Sequence, residues 1–391
     1  MTKSRDAFNI VMRIIKRLPA ERIATVQALG HVLAREIKAP RDLPPFNRSA
    51  MDGYAIAEGD EGNEFKVIGE VCAGQVYKSK LRPGCTVKIM TGAKLPAGAG
   101  KVIMKEHVEE IGASRIKIAI DDDRINLRLK GEAVGKGDKL YLAGELITPV
   151  VLANIASLGI GDVSVYRKPK AGILVTGSEL LVPGSKYEAG KIYNSNGPML
   201  RSMLAQQGID VSMELSAKDT RSSLKSAFKK LLKRSDVIFI SGGISVGDYD
   251  LVYETMHECG AKIHISRVAI QPGKPFTFAT CENKPVFALP GNPVSVFVTY
   301  NLFALPALYK MMGMDFKRSK ETRIFKGVFK RDRTERELYL PVIFDGNDGV
   351  RSVEYQGSGD LYALSKACGF MIVPIGRGEV KDGERVNTFK F

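Results

Sequence analysis

The chain has 391 residues, 44% of them hydrophobic, and a net charge of +15, so it can bury a sizeable core in roughly two to three domains. The basic residues sit in short scattered clusters such as Arg167-Lys168-Pro169-Lys170, which suits small anions; no nucleic-acid motif accompanies them. Five distant cysteines without a C-x-x-C pair, and four histidines without an H-E-x-x-H or H-x-H pattern, argue against a disulfide framework or a zinc site.

Residues 1–40 read as two helices. Phe8, Val11, Met12, Ile15 and Leu18 recur at helical spacing, with none of the character of a secretory leader; Val26, Leu29, Leu33 and Ile37 follow before Pro40. Residues 41–140 change to short β-rich runs punctuated by glycine, which predicts a small β domain. Thr148 as N-cap and Pro149 at the first helical position start a returning helix. Residues 1–40 and 141–168 are therefore expected to form one helical unit, with 41–140 inserted into it.

From 169 to 315 strands and helices alternate. Strands are expected at 171–176, 209–215, 236–240, 262–270, 277–280 and 286–289, and helices near 197–207, 220–233, 249–258 and from Pro293 onward. Such alternation predicts a doubly wound, mostly parallel sheet. Residues 316–391 carry short strands and turns such as Asn347-Asp348-Gly349, a small C-terminal β domain. The expected fold class is multidomain α/β. The apolar stretch Val294 to Leu308 is interrupted by Asn301 and Pro306, so no membrane span is expected, and the chain reads as soluble and cytoplasmic.

Ligands of such sheets bind at the carboxyl ends of strands. Three loops fall there: Thr176-Gly177-Ser178-Glu179, Ser241-Gly242-Gly243 and Leu289-Pro290-Gly291. The second continues to Ser245, Gly247, Asp248 and Asp250. Glycines let backbone N–H groups approach an anion, and the carboxylates suit a hard cation such as Mg²⁺. In PGNPVS, Asn292 is placed to cap a helix begun by Pro293, and Ser295 can add a donor to the N–H groups exposed there. In QPGKPF, Pro272 and Pro275 stiffen the loop that carries Gly273 and Lys274, and a positioned ammonium suits an oxyanion. LPPFNRSAMDGYAI contributes Asp52, and KIMTGAKLP contributes Thr91 just after an apolar strand. Each motif alone also reads as an ordinary turn, cap or surface lysine.

Taken in order, SAMDGYA, IMTGA.LP, TG.EL, SGG.SVGDYD, PGKP and LPGNPVS resemble the molybdopterin molybdenumtransferase family. It comprises the MoeA proteins and the E domain of gephyrin and its plant counterpart, and the resemblance spans residues 5 to 390. It implies an elongated homodimer of four-domain subunits that inserts molybdate or tungstate into adenylylated molybdopterin, with Mg²⁺-dependent release of AMP. It further implies catalytic roles for Asp52, Thr91, Glu179, Asp219 and Asp250, with Asp219 and Asp250 holding Mg²⁺. Substrate contacts are implied for Ser178, Gly242, Gly243, Ser245, Pro272, Gly273, Lys274, Pro290, Gly291, Asn292, Ser295, Arg336 and Ser358. Of these, Lys274, Ser295, Arg336 and Ser358 resemble the molybdate pocket. The molybdopterin adenylyltransferase is a candidate protein partner.

Two positions depart from the family pattern. Ala133 stands where a carboxylate follows Gly131-Glu132, and Gln271 stands where a lysine precedes Pro-Gly-Lys-Pro. The second removes a positive charge from the implied pocket, for which Arg267 and Arg336 are the candidate replacements. Two other readings stay open: a pterin-binding scaffold on the same fold, and a molybdopterin adenylyltransferase, whose related domain has a similar SGG loop.

Overall fold

The structure is a computed structural model that describes residues 1–120, 123–243, 251–316 and 321–391. It forms two compact units. The smaller comprises Arg35–Ala143 and Pro149–Gly161; the larger comprises Met1–Ala34, Gly144–Thr148 and Asp162–Phe391.

The expected helical N-terminal unit is not found. Within 1–40 the α-helix is Ser4–Ile14, and Ala20–Ala24 is a strand paired antiparallel with Asp162–Tyr166. The spacing of Val26, Leu29, Leu33 and Ile37 mimics a helix, but Val26 and Leu29 are exposed while the adjacent Val32 and Leu33 are both buried. Gly30, at φ 71°, breaks the run. The returning helix does form, over Pro149–Ser157, but it belongs to the smaller unit.

The smaller unit is built on a six-stranded sheet in the order Ala99–Met104, Gly53–Ala57, Cys85–Ile89, Glu64–Val71, Arg115–Ile118, Val108–Ile111. Gly53 is required where it stands: a Cβ there would lie 1.9 Å from the Ile103 carbonyl oxygen.

The central sheet of the larger unit runs Val211–Ala217, Ala171–Thr176, Val237–Ser241, Lys284–Leu289, Thr277–Cys281, Lys262–Ile265. The first four strands are parallel, while Thr277–Cys281 runs antiparallel to both of its neighbours, Lys284–Leu289 and Lys262–Ile265, so the sheet is mixed rather than simply doubly wound. Thr277–Cys281 and Lys284–Leu289 are a hairpin. Its two-residue turn, Glu282-Asn283, has both residues at positive φ, the pattern that favours antiparallel pairing. Strand residues alternate between two cores. Ile173, Val175, Phe239, Phe287 and Leu289 face one; Leu174, Ile238, Ile240, Val286 and Ala288 face the other, against the helix Arg221–Arg234.

Phe239 is fully buried, with ring centroids 5.6 Å from Phe287 and 5.9 Å from Tyr300. Phe239→Ala is expected to cost about 3–5 kcal/mol. The check is the urea midpoint of the transition of the larger unit; a loss under about 1 kcal/mol would mean that this core rearranges to fill the space.

The helix Pro293–Met311, 19 residues long, is apolar enough to cross a membrane by length and composition, but 72% of its most apolar window is buried inside the molecule. Its turn Tyr300–Ala304 is π-helical. The C-terminal strands Glu337–Asp345, Gly349–Ser352, Glu321–Phe325, Arg385–Lys390 and Gly369–Val373 pair in that order, and the last pairs back with the first, which closes a small barrel. The short strand Ile270–Gln271 adds to this barrel in parallel, Ile270 opposite Glu337 and Gln271 opposite Leu338.

Candidate active site

That added strand creates the main feature of the larger unit. It carries Pro272, Gly273 and Lys274 out of the α/β region and sets them beside Arg336, which immediately precedes the paired Glu337. A cleft of about 580 Å³ lies there. Among its lining are the predicted residues Pro272, Gly273, Lys274, Pro290, Gly291, Asn292, Ser295, Arg336 and Ser358. Three loops distant in sequence therefore meet as the resemblance implies. Gln271 also lines the cleft; Arg267 does not, so Arg336 is the basic group that stands near the missing lysine.

No carboxylate lines this cleft among the described residues, while Lys274 and Arg336 supply two cations. Hydroxyls come from Ser295, Ser358 and Tyr355. Burial pushes the Tyr355 phenol up to about 12, with a smaller contribution from the charge of Asp360, so it stays protonated at neutral pH. An ammonium, a guanidinium and hydroxyl donors around one space are groups of the kind a small oxyanion would require.

The floor of the cleft is held from behind. Asn292 occupies the cap position of Pro293–Thr299, but its side chain makes no capping bond. Its Nδ2 donates instead to Ser358 Oγ at 2.6 Å, and the Val294 N–H donates to the Ser358 carbonyl at 3.1 Å. The barrel loop bearing Ser358 is thus tied to the helix start bearing Ser295. Gly273 sits at φ 115°, and a Cβ there would lie 2.7 Å from the Thr299 methyl, so the PGKP loop packs directly on that helix.

The second group lies at the ends of the parallel strands. Asp219 accepts from the Thr176 hydroxyl through one oxygen and from the Ser178 N–H, at 2.9 Å, through the other. Glu179 folds back over Gly177: both its carboxylate oxygens lie 2.9 Å from where a Gly177 Cβ would be. Gly242, at φ 93°, packs so closely that a Cβ would sit 2.0 Å from the Thr176 carbonyl oxygen. Gly243, at φ 64°, is hemmed in by methyls of Val252 and Thr176. A Cβ on Gly291 would lie 3.8 Å from the Gly242 Cα, so this rim is continuous with the PGNPVS loop. Asn196 joins them: its Nδ2 donates to Ser241 Oγ at 2.9 Å and to the Gly291 carbonyl at 2.6 Å. The predicted Ser245 and Asp250 lie outside the described residues.

Asp52 and Thr91, in the smaller unit, are brought together. Thr91 donates to Asp52 Oδ1 from both its N–H and its hydroxyl, each at 2.7 Å. These bonds, the backbone one foremost, hold the Asp52 carboxyl below the usual carboxylate range. Glu132, beside Ala133, accepts from the Leu129 N–H at 2.8 Å and lies 3.5 Å from Arg128, so it fastens its own turn.

Some contributors escape a reading of the sequence. Tyr355 carries no motif. Asn196 carries none either and holds the PGNPVS loop through the Gly291 carbonyl, while Thr176, named from the sequence only as part of its loop, proves to hold Asp219.

Fold and cleft together define an α/β domain with a cationic, hydroxyl-lined cleft, flanked in sequence by β-rich regions. Three family models match in the same order: "MoeA N-terminal region (domain I and II)" over residues 2–159, "Probable molybdopterin binding domain" over 172–310, and "MoeA C-terminal region (domain IV)" over 329–391. A molybdopterin molybdenumtransferase of Staphylococcus epidermidis is 37% identical over 375 residues, 93% of this chain and 89% of the relative. One of Staphylococcus aureus is 35% identical over 313 residues, 78% and 75% of the two chains. A crystal structure of the molybdopterin biosynthesis MoeA protein from Pyrococcus horikoshii superposes with a TM-score of 0.84 at 31% identity, covering 100% of this chain and 99% of that one. The chain belongs to the MoeA family of molybdopterin molybdenumtransferases.

Proposed function

We propose that this protein inserts molybdate, or tungstate, into molybdopterin presented as its AMP adduct, and that AMP leaves in a Mg²⁺-dependent step. The observation that carries this reading is the cleft with two cations, three hydroxyls and no carboxylate among its described lining. It matches a tetrahedral dianion, which accepts hydrogen bonds and needs its charge balanced. Lys274 and Arg336 bind and orient the oxyanion; Ser295 and Ser358 donate to its oxygens.

Asp219, with Asp250, would hold Mg²⁺. The donor chemistry fits: each Asp219 oxygen accepts one hydrogen bond from the protein and keeps a lone pair for a cation. Mg²⁺ usually takes only one or two protein carboxylates and completes its shell with water and phosphate. Bound there, it would neutralise charge on the phosphates of the adenylate. Thr176 and Ser178 hold the Asp219 carboxylate aimed from the rim. Gly242 and Gly243 let the turn after the strand pack directly on Thr176 and Val252. Thr91 holds Asp52 below the usual carboxylate range, and for Asp52, as for Glu179, the resemblance implies a catalytic role. The functional form is a homodimer.

The test is turnover. Purified protein is incubated with adenylylated molybdopterin, Mg²⁺ and molybdate or tungstate, and AMP and active cofactor are measured together. The expected result is equal amounts of both, with neither formed when Mg²⁺ is omitted. Tight pterin binding without AMP release would favour the scaffold reading instead.

A further inference from the structure

The three strand-end loops of the larger unit meet at one buried side chain, that of Asn196. This residue opens the helix Asn196–Gln206 and is 9% exposed. The segment just before it is bonded to the Glu179 loop: the Ile192 N–H donates to the Glu179 carbonyl and the Asn194 N–H to the Leu181 carbonyl, each at 2.9 Å. The Asn196 amide reaches the other two loops, through Ser241 Oγ and the Gly291 carbonyl. Ser241 is fully buried, and its hydroxyl donates onward to the Pro290 carbonyl at 3.4 Å. A backbone carbonyl can only accept, so the nitrogen end of the amide must face Gly291. That orientation leaves Asn196 Oδ1 buried without a hydrogen-bond partner. An unpaired buried oxygen is costly, and an apolar side chain of the same shape would avoid the cost. What Asn196 supplies in return is two donors aimed at two loops.

We propose that Asn196 is a positioning residue for both halves of the site, fixing the Ser241-Gly242-Gly243 turn against the Pro290-Gly291-Asn292 loop. It does not line the oxyanion cleft and acts through residues that do. The path is short. Gly291 is followed by Asn292, which donates to Ser358 Oγ, and then by the helix that carries Ser295. A shift at Gly291 therefore moves two hydroxyls of the cleft, while a shift at Ser241 moves the turn beside Thr176 and Asp219. The binding assay for this role rests on the oxyanion reading of the cleft; the hydrogen-bond geometry does not.

Molybdate affinity, AMP release and the urea midpoint are compared in wild type, Asn196→Leu and Asn196→Asp. Asn196→Leu keeps the shape and removes both donors together with the unpaired oxygen, so its midpoint should stay near that of wild type. Its molybdate affinity should fall about tenfold, the scale of one lost and one unsatisfied hydrogen bond. Its AMP release should slow by up to about a hundredfold, as misplaced active-site groups do. Asn196→Asp separates the donor from mere packing. Ionised, its carboxylate has no donor and sets a charge against the Gly291 carbonyl; protonated, it regains one O–H for that carbonyl. Burial raises a carboxyl pKa, so Asn196→Asp should bind molybdate more weakly than Asn196→Leu at about pH 8 and more tightly at about pH 6. Every other titrating group is common to the two variants. Wild-type binding and AMP release in Asn196→Leu, or the same order of the two variants at both pH values, would overturn the proposal. Should wild type itself fail to bind molybdate, the oxyanion reading falls, and crystals of Asn196→Leu still decide this one. The Gly291 carbonyl, left without its donor, should swing away from the helix start; an unmoved loop would overturn the positioning role.

Discussion

Lys274→Ala is expected to weaken molybdate binding by about one to two orders of magnitude. A charge-assisted hydrogen bond contributes roughly 1.5–3 kcal/mol, and each 1.4 kcal/mol is about tenfold in affinity. The effect should sit near the upper end of that range because only one other cation, Arg336, is found among the described lining residues. Gln271 lines the same cleft, with its Oε1 buried and without a hydrogen-bond partner. Gln271→Lys should therefore tighten molybdate binding, since it adds an ammonium to a cleft whose described lining holds no competing carboxylate. Calorimetric titration of molybdate against wild type and both variants reads both effects. Wild-type affinity in Lys274→Ala would move the oxyanion site elsewhere.

Asp219→Asn is expected to lower AMP release by about a hundredfold, the scale on which removal of a fixed electrostatic contact acts in active sites. The carboxylate serves two donors, the Thr176 hydroxyl and the Ser178 N–H. An amide can accept from only one of them through its oxygen and confronts the other with its own N–H₂. The variant thus loses both a cation ligand and the order of the TG.EL loop. Asp250→Asn should reduce AMP release strongly while pterin binding stays measurable. Single-turnover AMP measurement on each variant is the check, and unchanged release from either would remove that residue from the mechanism.

Much of the larger unit is legible in the chain because its strands are short apolar runs between glycine-rich turns. Ala171–Thr176 and Val237–Ser241 fall where the pattern puts them, and the loops that follow them hold the predicted polar groups. The direction of pairing is less legible. Thr277–Cys281 and Lys284–Leu289 read as strands from composition, but their antiparallel union depends on Glu282 and Asn283 taking positive φ. The N-terminal region misleads for a different reason: Val26 and Leu29 are apolar yet exposed, so their spacing is not that of a buried stripe. Arg336 and Ser358 have no local signal at all. Their place at the cleft depends on one parallel pairing, Gln271 opposite Leu338, and on the Asn292–Ser358 hydrogen bond. Neither can be read from spacing, and for these two residues only the resemblance to a known family pointed the way.

The central claim is that the cleft between Lys274 and Arg336 receives the oxyanion, and its most direct test locates the metal itself. Crystals of the protein soaked in molybdate or tungstate are measured by anomalous scattering at the molybdenum or tungsten edge. The account predicts an anomalous peak within hydrogen-bonding reach of Lys274, Arg336, Ser295 and Ser358, and its loss in Lys274→Ala crystals soaked in the same way. A peak at another site with this cleft empty, or an undiminished peak in the variant, would contradict it.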